Sequence, residues 1–384
     1  MLVEPIKLED VWRWIEENAQ QLDAEEVDLQ KAHGRLPAAS LRAASDVPAT
    51  ACAVEDGYAV RAEETVGAAP YNPLSFLVAK VGDGALPRGT VARIGAGQPL
   101  PAGADALLPS DAVELEGEDR ISVLTPLAEG GGAMMAASEL RAGDALWPAE
   151  TRRQPLRPAE IGLLSAAGIL RVPVIRRPRT RILIAGRSDA SDVLGPMLQA
   201  LVERDGGAVV ELKHQARAGS PDLVTGADLV VAVGGFERNL EVTIRGVAIE
   251  PGRETCLARL GDTIIALLPS LPAACFWSYE LVAGRAIRCK GGRDPGLPFV
   301  PRRFRTTRKI ASALGMTEVV PVRIDAADPG AIVPCPNGPT PRLRNAASAD
   351  GFALIPAASE GLPPGSELEV WLFGPISERI TDGG

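Results

Sequence analysis

An aspartate followed by a glycine and an aromatic residue occurs twice in this chain. The first copy is EDGYA at residues 55–59, and the second is ADGFA at residues 349–353. Asp56 and its neighbour Glu55 carry carboxylate oxygens, which hard cations such as Mg²⁺ prefer, and Asp56 is also a candidate acid–base group. An Asp-Gly pair is equally typical of a turn that leads into a strand, so both interpretations stay open. Further candidate carboxylates are Asp189, Asp192 and Glu237.

Three turns that follow predicted strands could bind an anion. They are AGRSD (185–189), VGGFERN (233–239) and PSLPAA (269–274). A turn that ends a strand and begins a helix presents free backbone N–H groups and a favourable dipole to an anion. We expect all three turns along one edge of a sheet. None of them matches GxGxxG or GxxxxGK[ST], so a nucleotide site does not follow from them alone.

Composition limits the classes of function. A chain of 384 residues is too long for one ordinary core and predicts two to four domains. The net charge of −9 argues against a general nucleic-acid surface, although it leaves room for one local anion pocket. With 4% aromatic residues, 40 glycines and 33 prolines, the chain should form many short elements and loops.

Cysteine and histidine positions do not indicate a zinc site or a Cys/His nucleophile. The five cysteines are scattered without a CxxC pair, and the histidines are only His33 and His214. The beginning of the chain lacks the pattern of a signal peptide, and no apolar run approaches membrane-spanning length. We therefore expect free thiols, no membrane association and a cytoplasmic protein.

Helices are predicted on both sides of a β-rich segment. KLEDVWRWIEENAQQL repeats apolar residues at helical spacing and should end near Asp23. In RPAEIGLLSAAG, Pro158 suits the first turn and Gly168 the C-terminal end. Between them, short apolar runs alternate with glycine and proline over residues 46–139, which is typical of β structure.

Strand-like and helix-like segments alternate over residues 179–290. RTRILIAG, ADLVVAVGG and DTIIALLPS have the pattern of buried strands, and MLQALVERDGG predicts a helix that begins near Pro196. This order indicates an α/β domain with a parallel sheet and ligands at the carboxyl ends of its strands.

A basic run, RRFRTTRK at residues 302–309, marks a domain boundary before the last β segments. We favour a solvated linker or edge strand here over an anion site. The predicted domains are a helical and mixed dimerisation domain of residues 1–45 and 140–178, an inserted β-rich domain of 46–139, an α/β domain of 179–301 and a C-terminal β domain of 302–384.

Taken in order, these segments resemble the MoeA family, the molybdopterin molybdenumtransferases related to the catalytic domain of gephyrin. The likeness begins with AHGRLPAASLRAASDVP and EDGYAV and continues through RIGAGQPLPAGADALLP, AEIGLLSAAGILRVPV, ADLVVAVGG and LLPSLPAA. It ends with ASADGFALIPAASEGLPPGSELEVWLF. Each motif is weak alone, but the ordered series covers essentially the whole chain.

The resemblance implies an elongated multidomain protein in which β-rich domains accompany a three-layer α/β molybdopterin-binding domain. It also implies a homodimer, with the active site between the α/β domain of one subunit and the β-rich second domain of the other. Family members insert molybdenum from molybdate into adenylylated molybdopterin and release AMP, assisted by Mg²⁺ or zinc.

Matching the family's motifs residue by residue implies specific site residues. Asp56 is implied as the catalytic acid, and Asp56 and Glu139 as metal ligands. The implied pterin-binding residues are Gly97, Gly186, Arg187, Ser188, Gly234, Gly235, Gly252, Arg253, Pro269, Ser270 and Pro272.

Most polar residues of the family's site are replaced in this chain. ACA (51–53) stands where the family has Asp, Asn and Ser, and Arg187 and Ser188 stand where it has two carboxylates. Arginine there repels a cation, although it can bind phosphate or molybdate oxygens. The stretches 217–227 and 238–249 are also short for the family's crossover helices.

Three functions follow from this comparison. We favour a MoeA-like protein that binds molybdopterin or its adenylylated form with impaired insertion, a candidate pseudoenzyme, because the retained residues mostly serve the backbone. The alternatives are an active molybdenumtransferase and a scaffold or chaperone for a molybdoenzyme or another protein of cofactor biosynthesis. An unrelated α/β nucleotide-binding enzyme is the least supported, since it leaves the motifs outside 179–290 unexplained.

Overall fold

The computed structural model of the chain describes residues 4–80, 84–117, 119–146, 154–186, 192–215, 224–234, 240–335 and 340–375. The chain divides into two compact units. The first unit is Met1–Glu25 with Ile175–Gly384, and the second unit is Glu26–Val174. None of the described helices is long and apolar enough to span a membrane.

Most of the regular structure is β. The helices are α1 (Leu8–Asn18), α2 (Pro158–Ala166), α3 (Leu194–Arg204), α4 (Pro272–Ser278), α5 (Gly284–Lys290) and α6 (Leu343–Ser348), and a π-helical turn, Tyr279–Ala283, joins α4 to α5. The strands are β1 (Ala24–Asp28), β2 (Cys52–Ala53), β3 (Gly57–Val60), β4 (Leu74–Ala79), β5 (Thr90–Ile94), β6 (Ala106–Pro109), β7 (Val113–Leu115), β8 (Arg120–Val123), β9 (Ala133–Met134), β10 (Arg171–Ile175), β11 (Arg179–Ala185), β12 (Ala208–Gln215), β13 (Leu229–Val233), β14 (Val242–Arg245), β15 (Ile249–Glu250), β16 (Cys256–Leu260), β17 (Thr263–Leu268), β18 (Val300–Thr306), β19 (Ile310–Ala311), β20 (Thr317–Ile324), β21 (Ala331–Pro334), β22 (Gly351–Ile355), β23 (Gly361–Leu362) and β24 (Glu367–Leu372).

A six-stranded sheet forms the main β structure of the second unit. Its strand order is β6-β3-β5-β4-β8-β7, and β2 pairs with β9 in a separate ribbon. The predicted β-rich segment therefore holds β2 to β9. Helix α2 begins at Pro158, and Gly168 follows its end with a φ of +80°, as the sequence predicts.

Helix α1 packs in the first unit. Leu8, Val11 and Ile15 are buried in the same apolar core as the strands of the α/β sheet, and Trp12 Nε1 donates to Leu281 O at 2.7 Å. The helix ends at Asn18, before the predicted Asp23. The apolar face of α1 is therefore covered by the α/β core. The four-domain division itself stays a prediction.

The α/β sheet of the first unit has the strand order β12-β11-β13-β17-β16-β14. Strands β12, β11, β13 and β17 are parallel, and β16 is antiparallel to both neighbours. The three predicted buried strands correspond to β11, β13 and β17, which confirms the parallel sheet. Helix α3 begins two residues before Pro196, so the proline lies in the first turn, where its missing N–H is not needed.

Strands fill the connection from β13 to β17. The described part of this connection, residues 240–262, forms β14, β15 and β16 and contains no helix. This agrees with the expectation that 238–249 is too short for a crossover helix. The described helices that cover the sheet (α1, α3, α4 and α5) share one apolar core, and a second apolar cluster lies on the opposite face.

A closed barrel follows the α/β sheet within the first unit. The strand order is β15-β20-β21-β18-β24-β22, and β20 also pairs with β22, which closes a ring of five strands. Strand β15 comes from the α/β region and pairs in parallel with β20, with Ile249 opposite Thr317 and Glu250 opposite Glu318. The barrel is therefore hydrogen-bonded directly to the α/β region.

The basic run lies inside the barrel wall. Strand β18 pairs with β21 on one side and β24 on the other, so the prediction of a linker or edge strand is wrong. Arg303 lies opposite Glu369 and Arg305 opposite Glu367 on the antiparallel strand β24. The arginine side chains are exposed, and opposite charges at facing register positions are favourable, so an arginine-rich segment is accommodated in an interior strand.

Aromatic side chains fill the space between α4 and the barrel. Trp277 of α4 lies 5.0 Å from Phe352 of β22 and 6.3 Å from Phe373, measured between ring centroids. Phe299 contacts the same two phenylalanines at 5.6 and 5.2 Å, and Trp371 stacks on Phe352 at 5.7 Å. Phe352 is fully buried in the same core as the α/β strands.

Candidate functional site

The three predicted turns follow neighbouring parallel strands that end at one edge of the α/β sheet. Val233 of β13 is the register partner of Ile184 in β11 and of Leu268 in β17. The carboxyl ends of these strands therefore lie at one level, which is where open α/β sheets bind ligands.

Gly234 is where the turns contact each other. Its N–H donates to Leu268 O at 3.3 Å. A Cβ added to Gly234 would lie 3.4 Å from the Cβ of Ala185 and 3.8 Å from the Cβ of Ser270. Its φ of +76° also favours glycine. Residues of all three turns thus lie close together.

Helix α4 begins directly after the third turn, with Pro269 and Ser270 before it and Pro272 as its first residue. The N-cap residue is Leu271, whose side chain cannot accept a hydrogen bond from the first-turn N–H groups. These groups can therefore donate to water or to an anion. Gly186 is exposed at the end of β11. Arg187, Ser188, Asp189, Gly235 and Glu237 lie outside the described residues.

The Gly252–Arg253 turn lies beside the later part of α4. Gly252 has a φ of +131°, and a Cβ there would lie 2.6 Å from Ser278 Oγ. Thr255 Oγ donates to Gly252 O at 2.6 Å and lies 2.6 Å from Ser278 Oγ. Ser278 is six residues beyond Pro272, about 9 Å along a helix. Arg253 is exposed.

Glu250 makes the surroundings of this turn acidic. Burial and the neighbouring Glu254 raise the pKa of Glu250, and Arg253 opposes them. Burial and the charge of Glu250 likewise raise the pKa of Glu318. The register places Glu250 beside Glu318, so like charges face each other where β15 joins β20. This arrangement disfavours an anion close to Glu250.

Asp56 and Gly97 lie together in the second unit. Asp56 is exposed, and its Oδ1 accepts a hydrogen bond from Ala96 N at 2.8 Å. Gly97 N donates to Ala53 O at 2.8 Å, so the glycine turn rests on the segment that leads to Asp56. One carboxylate oxygen of the predicted catalytic acid therefore has a backbone partner.

The second Asp-Gly copy has the same local structure. Asp350 Oδ2 accepts from Ile324 N at 2.8 Å, as Asp56 does from Ala96. A Cβ on Gly57 would collide with the carbonyl oxygen of Leu108, and a Cβ on Gly351 with that of Trp371. Both glycines are required by close approach of a neighbouring strand, and both aspartates hold a nearby backbone N–H. The motif thus has a structural explanation at either position.

Glu139 lies beside Val47. Its N–H donates to Val47 O at 2.9 Å. Among the described residues, no three His, Cys, Asp or Glu side chains are grouped to hold a metal ion. The assignment of Asp56 and Glu139 as metal ligands stays a prediction, and hard cations prefer several converging oxygens.

One polar pair near the sheet edge was not predicted. His214 Nε2 lies 3.0 Å from Asp192 Oδ2, and the side chains are 12% and 19% exposed. The sequence interpretation missed β12 because Glu211 and Lys213 interrupt its apolar run, as befits an edge strand. The sequence signal that could have indicated this pair is a histidine near the end of a strand together with an aspartate just before a helix.

Family models match both ends of the chain. The model of the MoeA N-terminal region (domain I and II) matches residues 6–168, and that of the MoeA C-terminal region (domain IV) matches residues 303–373. Together these matches cover more than half of the sequence.

The chain belongs to the MoeA family. Among curated MoeA-family relatives, molybdopterin molybdenumtransferase 2 of Mycobacterium tuberculosis is 27% identical, and the match covers 90% of this chain and 94% of the relative. The molybdopterin molybdenumtransferase of Staphylococcus aureus is 25% identical, with 96% of both chains covered. The solved structure of a molybdopterin biosynthesis MoeA protein from Pyrococcus horikoshii is 27% identical, has a TM-score of 0.74 and is matched over 97% of this chain and 100% of its own.

The MoeA matches cover the candidate residues unevenly. Asp56, Gly97 and Glu139 fall within the N-terminal match. The turns at the carboxyl edge of the α/β sheet lie between the two matched ranges.

Proposed function

We propose that this MoeA-family protein acts in molybdenum cofactor biosynthesis and binds molybdopterin, or its adenylylated form, at the carboxyl edge of its α/β sheet. The observation that carries the proposal is the contact of three strand-ending turns, with Gly234 between Ala185 and Ser270. Such turns offer backbone N–H groups to phosphate. The curated relatives, which are molybdopterin molybdenumtransferases, support the choice of ligand.

The residues that would hold the ligand are those of the turns. Gly186, Gly234, Pro269, Ser270 and Pro272 supply the backbone surface, and the exposed guanidinium of Arg253 is a candidate partner for a phosphate or molybdate oxygen. Arg187, Ser188 and Gly235 stay candidates from the sequence.

We also infer that insertion of molybdenum from molybdate is impaired. Asp56 Oδ1 already accepts a hydrogen bond from Ala96 N. Arg187 and Ser188 replace carboxylates that the family's motif would supply. These observations support weak binding of Mg²⁺, since a hard cation needs several anionic oxygens.

A binding and turnover assay tests the proposal. Purified protein is titrated into molybdopterin and into its adenylylated form, and binding is followed by pterin fluorescence. The adenylylated form is then incubated with molybdate and Mg²⁺, and AMP and inserted molybdenum are quantified. We expect saturable pterin binding with little molybdenum insertion.

The alternative functions correspond to other results of this assay. Efficient molybdenum insertion by the wild type that is lost in Asp56→Asn would overturn the inference that insertion is impaired. It would establish an active molybdenumtransferase. Absence of binding to either pterin would overturn the pterin-binding proposal. Co-purification with a molybdoenzyme would then test the scaffold function.

Two glycine variants locate the binding surface. Gly234→Val places a branched side chain between Ala185 and Ser270 and should weaken pterin binding at least tenfold. Gly365→Val is the matched control, because Gly365 also has a positive φ of 83° but lies in a barrel turn with nothing within 4 Å of its Cβ position. Equal loss of binding in both variants would contradict the assigned surface.

We further infer that the protein is a homodimer of the cytoplasm. Light scattering tests the dimer by comparing the mass in solution with that of one chain. None of the five cysteines, all of which the structure describes, forms a disulfide, and this fits a reducing compartment.

A further inference from the structure

Strand β15 joins the barrel to the α/β region through a short contact. It is two residues long and pairs with the first two residues of β20, with Ile249 opposite Thr317 and Glu250 opposite Glu318. These two pairs form the β15–β20 seam, and Thr317 N donates to Ala248 O across it at 2.8 Å. Because the seam is so short, a small electrostatic change shifts the equilibrium between its closed and open forms.

The two residue pairs of the seam face opposite sides. Successive side chains of a strand point in opposite directions. Ile249 and Thr317 are buried, at 0% and 5% exposure, whereas Glu250 and Glu318 keep contact with solvent. Neighbouring strands are roughly 4.8 Å apart, so the two carboxyl groups lie side by side and can exchange protons with water.

Charges on the turn after β15 act on the same pair. Burial raises the pKa of Glu250, Glu254 raises it further, and Arg253 opposes both. Burial and then the charge of Glu250 raise the pKa of Glu318. The charge balance at the seam therefore involves three carboxylates and one guanidinium group.

Other elements approach the seam through residues that do not titrate. Glu318 lies opposite Ile355 on β22. The turn after β15 contacts α4 at Ser278, and Ile6 pairs beside Val247 just before β15. The repulsion between Glu250 and Glu318 is thus opposed chiefly by Arg253.

We propose that the Glu250–Glu318 pair is a pH-sensitive latch, which holds β15 on β20 while the pair retains a proton and lets the seam open when both carboxylates are ionised. A protonated carboxyl group can donate a hydrogen bond to its neighbour, whereas two carboxylates only accept and repel each other. An open seam frees the chain that leads into the Gly252–Arg253 turn. The latch acts without any ligand, so its failure leaves the proposed function unaffected.

The direction of the response follows from proton linkage. In the closed seam the pKa values of Glu250 and Glu318 lie above the ordinary 4.5, so the closed form binds protons more tightly than the open form. Opening is therefore suppressed below about pH 4.5 and becomes more frequent as pH rises through the raised values.

Amide hydrogen exchange measures the opening. After correction for the intrinsic exchange rate at each pH, the protection factor of the Thr317 amide should fall about threefold between roughly pH 5 and pH 7.5, the size expected for one partly exposed charge pair. Glu250→Gln should abolish this fall, because glutamine does not ionise. Glu367→Gln is the matched control and should keep it, since Glu367 also lies on a barrel strand but faces Arg305.

An internal reference separates the latch from a pH effect on the whole barrel. Asp325 N donates to Ala331 O at 2.9 Å just beyond the other end of β20, and its protection factor should stay constant over the same pH range. Equal falls at Thr317 and Asp325, or no fall at Thr317, would overturn the latch.

Carbon-13 spectra of the side-chain carboxyl groups test the coupling directly. In the wild type, Glu318 should titrate above its ordinary range, and Glu250→Gln should lower its midpoint because one neighbouring charge is removed. A Glu318 midpoint that is the same in both proteins would contradict a shared proton and overturn the latch.

Discussion

Glu280 is bound by Arg204 through two parallel hydrogen bonds. Arg204 Nη1 donates to Oε1 at 2.6 Å and Nη2 to Oε2 at 2.8 Å. The Glu280 side chain is fully buried in the π-helical turn, and so is the neighbouring side chain of Asp205, which contacts both Arg204 and Arg288 at 3.1 Å. A cluster of two carboxylates and two guanidinium groups therefore joins the end of α3, the π-helical turn and α5 inside the first unit.

Arg204→Met should lower the free energy of unfolding of the first unit by about 3 kcal/mol, because it leaves a buried carboxylate without its main partner. The double variant Arg204→Met/Glu280→Met should be less destabilised, since the uncompensated charge is removed as well. Urea unfolding followed by tryptophan fluorescence measures both. Arg13→Met is the control, because the Arg13 side chain is 67% exposed and its pairing with Asp10 should contribute less than about 0.5 kcal/mol.

Alanine in either Asp-Gly copy should destabilise the protein. Gly57→Ala and Gly351→Ala each force a neighbouring strand to move, which should cost about 2 to 3 kcal/mol in unfolding free energy. Gly162→Ala, at an exposed and open position inside α2, should instead add about 0.8 kcal/mol through helix propensity. Thermal unfolding of the three variants measures whether each substitution lowers or raises the stability. A stable Gly57→Ala protein would contradict the close approach to Leu108.

The glutamate pair at the junction of β15 and β20 predicts a pH dependence. The pKa values of Glu250 and Glu318 are raised above the ordinary value of 4.5, so the native state holds these protons more tightly than the unfolded chain. Their stabilising contribution is complete below about pH 4.5 and is lost as pH rises through the raised values. Glu250→Gln should reduce the loss of stability that accompanies rising pH. At pH 7 it should raise the unfolding free energy by about 0.5 kcal/mol, a small gain because Glu250 is only partly buried and its charge is screened by solvent.

Glu367→Gln is the matched control for that pH series. Glu367 also lies on a strand of the barrel, but its register partner is Arg305 and not another carboxylate. Its removal should lower stability slightly at pH 7. A stability curve of Glu250→Gln that runs parallel to the wild type between pH 4.5 and 7 would contradict the repulsion between Glu250 and Glu318.

Thiol reactivity should follow burial. Burial raises the pKa of the Cys275 thiol to about 12, so almost no reactive thiolate forms there at pH 8. Cys52 is only partly buried, and iodoacetamide should label it at least ten times faster in the native protein. Peptide mass mapping after timed labelling measures the two rates. Cys275 should become reactive in urea, and equal native rates would contradict its burial in α4.

Periodicity predicted those elements whose side chains face one uniform environment. The continuous apolar runs of β11, β13 and β17 and the glycine and proline at the ends of α2 were sufficient to place them. Strand β12 was missed because it lies at a sheet edge and keeps charged residues on one face. The basic strand β18 was assigned to a linker or edge because local sequence does not reveal Glu367 and Glu369 on its partner strand.

Site geometry was less accessible from the sequence than the fold. The positions of the three turns followed from parallel strand order, which a sequence can indicate. The contact of Asp192 with His214 spans 22 positions and depends on the register between β11 and β12. The same holds for Ala96 at Asp56 and for Glu318 beside Glu250, since cross-strand neighbours are set by packing and not by spacing along the chain.

The cluster of Trp277, Phe299, Phe352 and Phe373 has a consequence for how this architecture can change. Because the barrel contributes Phe352 to the core of the α/β sheet, a chain cut after residue 301 would leave Trp277 facing water and β15 without its partner. Such a truncation should aggregate instead of yielding a smaller working protein. The barrel and the α/β sheet should therefore be inherited, expressed and degraded as one module.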